Sequence, residues 1–446
     1  MSGRSTVHSP PRHTSPPPGA DQVPRLLAGL GAGGGTVSLA DHLRQWGPLP
    51  PSPGPSVVDE VVRSGLRGRG GAWFPVGAKW RAVHRSILRR PVVVANGAEG
   101  EPASAKDRLL LHQLPHLVLD GAMVAARAVG ASQVVLHLPS TAVGPMERAV
   151  GERRDAVDDP VPPEIVVAPD RFIAGQESAV VATVNGRRPG IPTFTGAVPV
   201  RERGVDGRPT LVHNVESLAH VALVARFGAA WFRSLGTPES PGTTLVTVTG
   251  RWSEPRILEV PLGVRLRDTL ALAADEERRV QGVLLGGYGG GWLTTGKALA
   301  MPYTEEDARR RGSSIGAGVV VLLPEGACPL AEISRVVAEL DDEGAGQCGP
   351  CVNGLAALAR LTYQLAFDPA ALGDGLASVP ILCDLIDGRG ACRHPDGATR
   401  FVRTGLQVFA DHAEAHLRSG PCRSPFPPFL ALPPPGRSSE RGGRAR

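Results

Sequence analysis

Cys348-Gly-Pro-Cys351 sets two thiols at a Cys-x2-Cys spacing where a helical pattern begins. Thiolates so spaced reach one metal centre, and the positive end of a helix favours their anionic form. Cys392 follows after 40 intervening residues. The chain has 446 residues and 6 cysteines, and its N-terminus lacks an apolar stretch of the secretory kind. Reduced thiols that ligate a metal or cluster are therefore expected rather than a disulfide framework. The residue types leave two centres open. One is an iron–sulfur cluster on the cysteines. The other is a structural zinc on Cys348, Cys351, Cys392 and His394. Cys328 reads as a buried apolar residue and Cys422 as a tail thiol.

A second candidate is the run Gly65-Leu-Arg-Gly-Arg-Gly-Gly-Ala-Trp-Phe-Pro-Val-Gly-Ala-Lys-Trp80, with four glycines in seven residues. Gly65, Gly68, Gly70 and Gly71 let backbone approach a ligand closely and aim successive N–H groups at an anion. Arg67, Arg69 and Lys79 would add positive charge. The spacing is not the Gly-x-Gly-x-x-Gly dinucleotide fingerprint, and a mobile glycine linker is the plainer alternative. A helix is predicted just before the loop. Ser56 and Asp59 form a capping box, and Val57, Val58, Val61 and Val62 share one face.

The third candidate is the polar stretch after Val92 to Ala95, carrying Asn96, Glu99 and Glu101. Ligands in open α/β sheets bind off the carboxyl ends of strands. Such a loop can hydrogen-bond the polar edge of a bound ligand. The alternative is a solvated turn paired with Lys106 or Arg108.

These residues need elements to hold them. Val92 to Ala95, Gln133 to Leu138 and Glu164 to Ala168 have strand character, and His116 to Ala128 is a helical pattern that Pro115 starts and Gly130 stops. Alternating strands and helices predict an α/β, Rossmann-like domain over 56–236. A turn-rich break at Thr237 to Gly242 follows. Strands at Thr243 to Thr249 and Ile257 to Val260, a helix at Leu266 to Ala274 and a strand at Val280 to Leu285 give a β-grasp order over 237–325. From Ala331 the periodicity turns helical, and Thr404 to Ala415 closes a helical bundle over 326–416. The Pro- and Gly-rich segment 1–55 and the Pro- and Arg-rich segment 417–446 read as tails, the first largely disordered.

Composition limits the function. The net charge of +5, much of it in the tails, is too small to indicate nucleic acid. No run of eighteen apolar residues occurs, so no membrane span is expected. A cytoplasmic location is expected.

The three candidate stretches resemble parts of the NADH-oxidising flavoprotein subunit of respiratory complex I, a family also found in NAD-linked hydrogenases and formate dehydrogenases. The glycine run is similar to that family's flavin loop. Asn96-Gly-Ala-Glu-Gly-Glu-Pro-Ala103 resembles its Asn-x-Asp-Glu-x-Glu-Pro-Gly motif. Gly175-Gln-Glu-Ser-Ala179 resembles Gly-Glu-Glu-Thr-Ala. Pro189-Gly-Ile-Pro-Thr-Phe194 resembles a Pro-Arg-x-Lys-Pro-Pro-Phe segment, and Pro209 to Glu216 matches the motif that follows. The segment after residue 236 resembles the family's soluble-ligand-binding β-grasp domain. The cysteines align with a Cys-x2-Cys-x2-Cys run plus one distant cysteine that hold a [4Fe–4S] cluster.

The resemblance implies flavin mononucleotide (FMN) on Gly65, Gly68, Gly70 and Lys79, with Asn96, Glu99 and Asn214 in the same site. It implies Phe74, Glu101, Glu177 and Phe194 on the NAD(P)H side. It implies iron–sulfur ligation by Cys348, Cys351 and Cys392. Ala345 stands where the family has its first ligand. Three options stay open there: Cys383 as the replacement, a [3Fe–4S] cluster on three cysteines, or a non-cysteine ligand or hydroxide. Trp73 replaces a glycine, where it either stacks on the flavin or blocks the nicotinamide. The expected function is electron transfer from NAD(P)H or another donor through FMN to the cluster and a ferredoxin or other redox protein. Peripheral association with a membrane redox complex is compatible with this. The alternative is a non-enzymatic scaffold that keeps only a metal or cluster site.

Overall fold

The computed structural model describes residues 23–31, 34–50, 55–84, 89–157, 159–187, 190–192, 198–250, 254–272, 274–372, 375–422 and 428–433. Phe194 lies outside the described residues.

The first domain is built on four parallel strands, β1 (Val92–Asn96), β2 (Gln133–Leu138), β3 (Pro163–Val167) and β4 (Thr210–Asn214), in the order β3-β2-β1-β4. Helices α1 (Leu39–Trp46), α2 (Pro55–Ser64), α3 (Val76–His84), α4 (Lys106–Gln113), α5 (Pro115–Val129), α6 (Ser140–Arg153), α7 (Glu177–Val184) and α8 (Val215–Arg233) surround them. β1 is buried throughout, which is why Val92 to Ala95 reads as a continuous apolar run. α5 and α8 pack at close range. A Cβ on Gly121 would sit 1.9 Å from the Leu218 carbonyl oxygen, so only glycine permits this approach.

The second domain is a five-stranded sheet of β5 (Thr243–Thr249), β6 (Arg256–Pro261), β7 (Val280–Leu285), β8 (Gly291–Leu293) and β9 (Val319–Pro324), ordered β6-β5-β9-β7-β8. β5 and β9 are parallel and the other pairs antiparallel, a β-grasp arrangement. The third unit is helical: α9 (Pro329–Asp342), α10 (Leu355–Phe367), α11 (Gly375–Ile386), α12 (His394–Val408) and α13 (Ala410–Ser419). Its core is continuous with Leu284, Trp292 and Val321 of the β-grasp domain.

Several expectations are corrected. α2 already begins at Pro55, so Ser56 falls in its first turn rather than at a cap, and Asp59 instead accepts from Arg81 at 3.1 Å. The strand β4 is missing from the expected elements because its polar end doubles as the start of α8. The predicted helix Thr404 to Ala415 is two helices that break at Phe409, whose ring is buried edge-on against Trp292.

Neither tail is wholly a tail. Residues 23–31 and 34–50 join the first domain. Trp46 is buried, and His42 bonds Asp120 at 2.7 Å, which also holds Arg153 and Arg226. At the other end, Pro428 to Pro433 form a strap. Phe429 and Leu430 donate their N–H groups to Glu332, each at 2.9 Å, and the Tyr288 hydroxyl donates to the Ala431 carbonyl. Composition hid both segments, because a few apolar anchors among many prolines and glycines suffice to dock a chain.

Candidate functional site

β1 and β4 are neighbours in the sheet, yet the chain leaves β1 toward β2 and returns to β4 only after β3. Adjacent strand ends whose connections diverge create a crevice, the general ligand position in such sheets. Asn96 and Asn214, in register, end these two strands. A cleft of about 970 Å³ opens there. Its walls are the glycine loop, the stretch from Asn96 to Asp107, the β-grasp loops at Gly286 to Gly289 and Gly312 to Ala317, and Cys392 to Arg400 at the start of α12.

Within the glycine loop, the Gly68 N–H is spent on the Phe74 carbonyl at 2.9 Å and that of Arg69 on Ser217 Oγ at 2.8 Å. The N–H groups of Gly70 and Gly71 have no partner among the described residues. Gly71 has φ +100°, and a Cβ on Gly70 would stand 3.1 Å from Asn214 Cβ. The loop thus offers free donors at a point where backbone must be bare. Gly65 is different. It lies outside the cleft, where its positive φ turns the chain out of α2 beside Arg233 and Pro241.

The basic residues expected to reinforce the nest have other partners. Arg67 faces Glu306 at 3.5 Å. Arg69 is buried, with its guanidinium over the Trp73 ring at 4.5 Å and a hydrogen bond to the Thr243 carbonyl at 2.9 Å. Burial draws its pKa down to about 10. Lys79 does line the cleft, but its ammonium pairs with Glu177 at 2.7 Å and donates to the Val212 carbonyl at 2.9 Å. Phe74, 55 % exposed, stands at the rim.

Trp73 adopts φ +55°, the left-handed region natural to the glycine it replaces. It lines the cleft but does not lie open for stacking. Its ring is only 4 % exposed, packs in the β-grasp core with Val248 and Ile315, and donates its indole N–H to the Gly316 carbonyl at 2.9 Å. Trp73 therefore rivets the first domain to the second. Trp73→Gly should relieve backbone strain of about 1–2 kcal/mol but lose about 3–5 kcal/mol of packing. The expected result is a net fall in denaturant stability, with no gain in NADH-dependent reduction of an artificial acceptor. Higher turnover at unchanged stability would mean that the ring obstructs the cleft.

The carboxylates near β1 are structural anchors as well as cleft walls. Glu99 accepts from the N–H groups of Asp107 at 3.0 Å and Arg108 at 3.1 Å, capping α4. Asn96 Nδ2 donates to the Gly175 carbonyl at 2.9 Å. Glu101 reaches across the domain boundary and accepts from the Tyr288 N–H at 2.8 Å. Burial pushes the Glu101 carboxyl up to about 7, against the pull of the Tyr288 and Ala103 N–H groups. Between about 4.5 and 7 the folded form then holds more proton than the unfolded chain, so stability falls as pH rises through that window. Glu101→Gln keeps an acceptor for Tyr288 and removes the charge. Its melting temperature should lose that pH slope; profiles parallel to wild type would overturn the assignment.

One network was not singled out from the sequence. Lys106 Nζ is buried between Asp107 at 2.7 Å and Glu216 at 3.0 Å, and Asn214 Nδ2 donates to Asp107 at 2.6 Å. Burial opposes the Lys106 charge, but the carboxylates of Asp107, Glu216 and Glu99 outweigh it and raise its pKa. Burial likewise opposes the Glu216 charge, yet Lys106, His220 and Arg69 hold its carboxyl down at about 2. The buried ions fix α4, β4 and α8 at the cleft floor. The local signal is only the charged pair Lys106-Asp107 after a polar loop, which also suits a solvated turn. His213 beside them accepts the Trp80 indole N–H at 2.8 Å, and burial, then Lys79, keeps it neutral. Gln176 caps α7 by accepting from Ser178 and Ala179, a task its amide oxygen performs without a charge.

The cysteines cluster at the far end of the cleft. Cys351 opens the first turns of the α10 region. Its thiol is pushed up to about 12 by burial first, then by the nearby Cys348 and Cys392. Cys392 itself lines the cleft. Cys383 lies on α11, which packs against the turn carrying Cys351, and both residues belong to one buried cluster. The charged neighbours of Cys383 are Arg403, Asp384 and Asp387, and α11 continues to Ile386, so the stretch after it is not nine residues of free loop. His394 donates its Nε2–H to the Leu340 carbonyl at 2.7 Å, which leaves its buried Nδ1 without a partner among the described residues, so this bond does not remove His394 from the zinc alternative.

Comparison with known proteins bears on both ends of the cleft. A family model described as the Nuo51 FMN-binding domain matches residues 61–223. One described as the NADH-ubiquinone oxidoreductase-F iron-sulfur binding region matches residues 331–416. The chain is 30 % identical over 386 residues to the F subunit of the NADH-quinone oxidoreductase of Streptomyces coelicolor, across 83 % of this chain and 85 % of that protein. It is 29 % identical over 412 residues to the second F subunit of the NADH-quinone oxidoreductase of Rhizobium meliloti, across 89 % and 96 %. A chain of an NAD+-reducing [NiFe]-hydrogenase in the H2-reduced state superposes with a TM-score of 0.73 at 29 % identity. That match spans 86 % of this chain and 65 % of the hydrogenase chain.

Proposed function

The chain belongs to the family of NADH-quinone oxidoreductase F subunits, and on that premise we propose that it carries electrons from NADH through FMN to an iron–sulfur centre and onward to a redox protein. One observation carries this reading: Cys392 and the Gly68 to Gly71 loop line the same cleft. Bound FMN would supply acceptance of a two-electron hydride and release of single electrons.

The chain's own residues hold and orient. The Gly70 and Gly71 N–H groups, which line the cleft without a partner among the described residues, would hold the FMN phosphate. Asn96 and Asn214, in register at the two strand ends, would contact the flavin, and Lys106, Asp107 and Glu216 keep that floor rigid. Glu101 and Tyr288 draw the β-grasp loop over the cleft, which limits water. Phe74 and Glu177, which line the cleft, would contact the NADH. Cys348, Cys351 and Cys392 ligate the cluster. With alanine at position 345, a three-iron form on these three cysteines suits the ligand set.

The partner docks on the helical unit. Val352, next to the ligand Cys351, is 50 % exposed, and Tyr363, Ile381 and Leu385 are exposed on the same unit. Apolar side chains in the open beside a cluster suit a protein acceptor such as a ferredoxin. No single described helix is long and apolar enough to cross a membrane. We assign the protein to the cytoplasm, free or peripheral to a membrane redox complex.

Anaerobically purified protein should contain FMN and iron, and NADH should reduce an artificial acceptor through it. Protein with neither flavin nor iron would instead favour a scaffold.

A further inference from the structure

Away from the cleft, the fold gathers Cys328, His412, His416 and Cys422, residues whose sequence positions suggest a core site, a helix and a tail. Cys328 immediately precedes α9, His412 and His416 lie one turn apart on α13, and Cys422 follows that helix. The four ligand atoms lie within 4.8 Å of one another. His412 Nε2 is 3.6 Å from Cys328 Sγ and 3.2 Å from Cys422 Sγ. His416 Nε2 is 3.6 Å from Cys328 Sγ and 3.2 Å from Cys422 Sγ. A tetrahedron with zinc–sulfur bonds of ~2.3 Å and zinc–nitrogen bonds of ~2.0–2.1 Å has nitrogen–sulfur edges of about 3.6 Å. The observed edges lie at or slightly inside that value.

A second observation concerns orientation. His416 Nδ1 lies 3.2 Å from the Leu365 carbonyl, to which it can only donate. That bond fixes the tautomer and leaves the Nε2 lone pair directed at the thiols, as an outer partner does for a ligating histidine. The lone pair now accepts the Cys422 N–H at 3.2 Å, a bond that a metal ion would replace.

We propose that Cys328, His412, His416 and Cys422 form a structural zinc site. Two thiols and two imidazoles in a closed tetrahedron suit zinc, and the four protein donors leave no position for substrate. Binding displaces two thiol protons. The site ties the end of α13 to the start of α9. The chain beyond it runs into the strap Pro428 to Pro433, which reaches Glu332 and Tyr288. Tyr288 lines the cleft, so the zinc anchors a segment that supports the cleft wall from behind.

Zinc and iron content of the full-length protein, with zinc-edge X-ray absorption, tests this. Wild type should hold about one zinc per chain, bound by two sulfurs and two nitrogens. The double variant Cys328→Ser/His416→Ala should lose that zinc, and Cys348→Ser/Cys351→Ser should keep it while losing iron. Should the first variant fail to fold, chelation of wild type should open residues 417–433 to protease, and added zinc should restore protection. Zinc-free wild type, zinc lost only with Cys348 and Cys351, or a Cys328–Cys422 disulfide trapped in freshly alkylated protein would each overturn the proposal.

Discussion

Gly70→Glu should abolish FMN binding while leaving iron content intact. Gly70 faces the cleft with a free N–H, and its missing Cβ would stand 3.1 Å from Asn214 Cβ. Any side chain must therefore press on the residue that caps α8 and braces Asp107. Glutamate adds a carboxylate where a phosphate is to be held. Two like charges about 4 Å apart at an effective dielectric near 20 repel by roughly 4 kcal/mol, about a thousandfold in affinity. Gly70→Ala carries the steric effect alone and should weaken binding far less. FMN titration of apoprotein, followed by flavin fluorescence, reads both. Equal flavin retention in wild type and Gly70→Glu would remove the loop from the site.

Ala345→Cys should raise iron from about three to about four atoms per chain, and Cys392→Ala should lose the cluster entirely. The loop carrying Ala345 passes close to the ligands, because a Cβ on the adjacent Gly344 would lie 3.7 Å from Cys351 Sγ. A thiol at residue 345 restores the Cys-x2-Cys-x2-Cys run and completes a four-thiolate set. Electron paramagnetic resonance should then move from the signal of a three-iron to that of a four-iron centre. Cys383→Ala should leave wild-type iron and spectrum unchanged, because its thiol already pairs with Arg403. Loss of iron in Cys383→Ala would make it the fourth ligand. A four-iron centre in both wild type and Cys383→Ala would point to a non-cysteine ligand.

Local pattern carried much of the architecture. β2, β5 and β7 follow their apolar runs residue for residue, and α5 begins at its proline and ends at left-handed Gly130. These signals are short-range: side-chain alternation, a fixed proline φ and a glycine turn. The Cys-x2-Cys spacing and the glycine run likewise stood out as candidates within a few residues.

Sequence by itself determined the α/β class and, through motif order, the family, and it pointed to the two candidate sites. Tertiary structure decided which side chains those sites can use. Arg67 and Arg69 looked like phosphate ligands because nearby residues were all that could be read, yet their partners Glu306 and Glu216 come from more than a hundred residues away. Trp73 looked like an obstacle in a ligand pocket until the β-grasp core supplied its packing. Cys328 and Cys422 are unremarkable alone and become a four-donor cluster only when α13 folds back on α9. In each case a charge or ring must be satisfied when buried, and the group that satisfies it is chosen by three-dimensional proximity, which linear spacing does not encode.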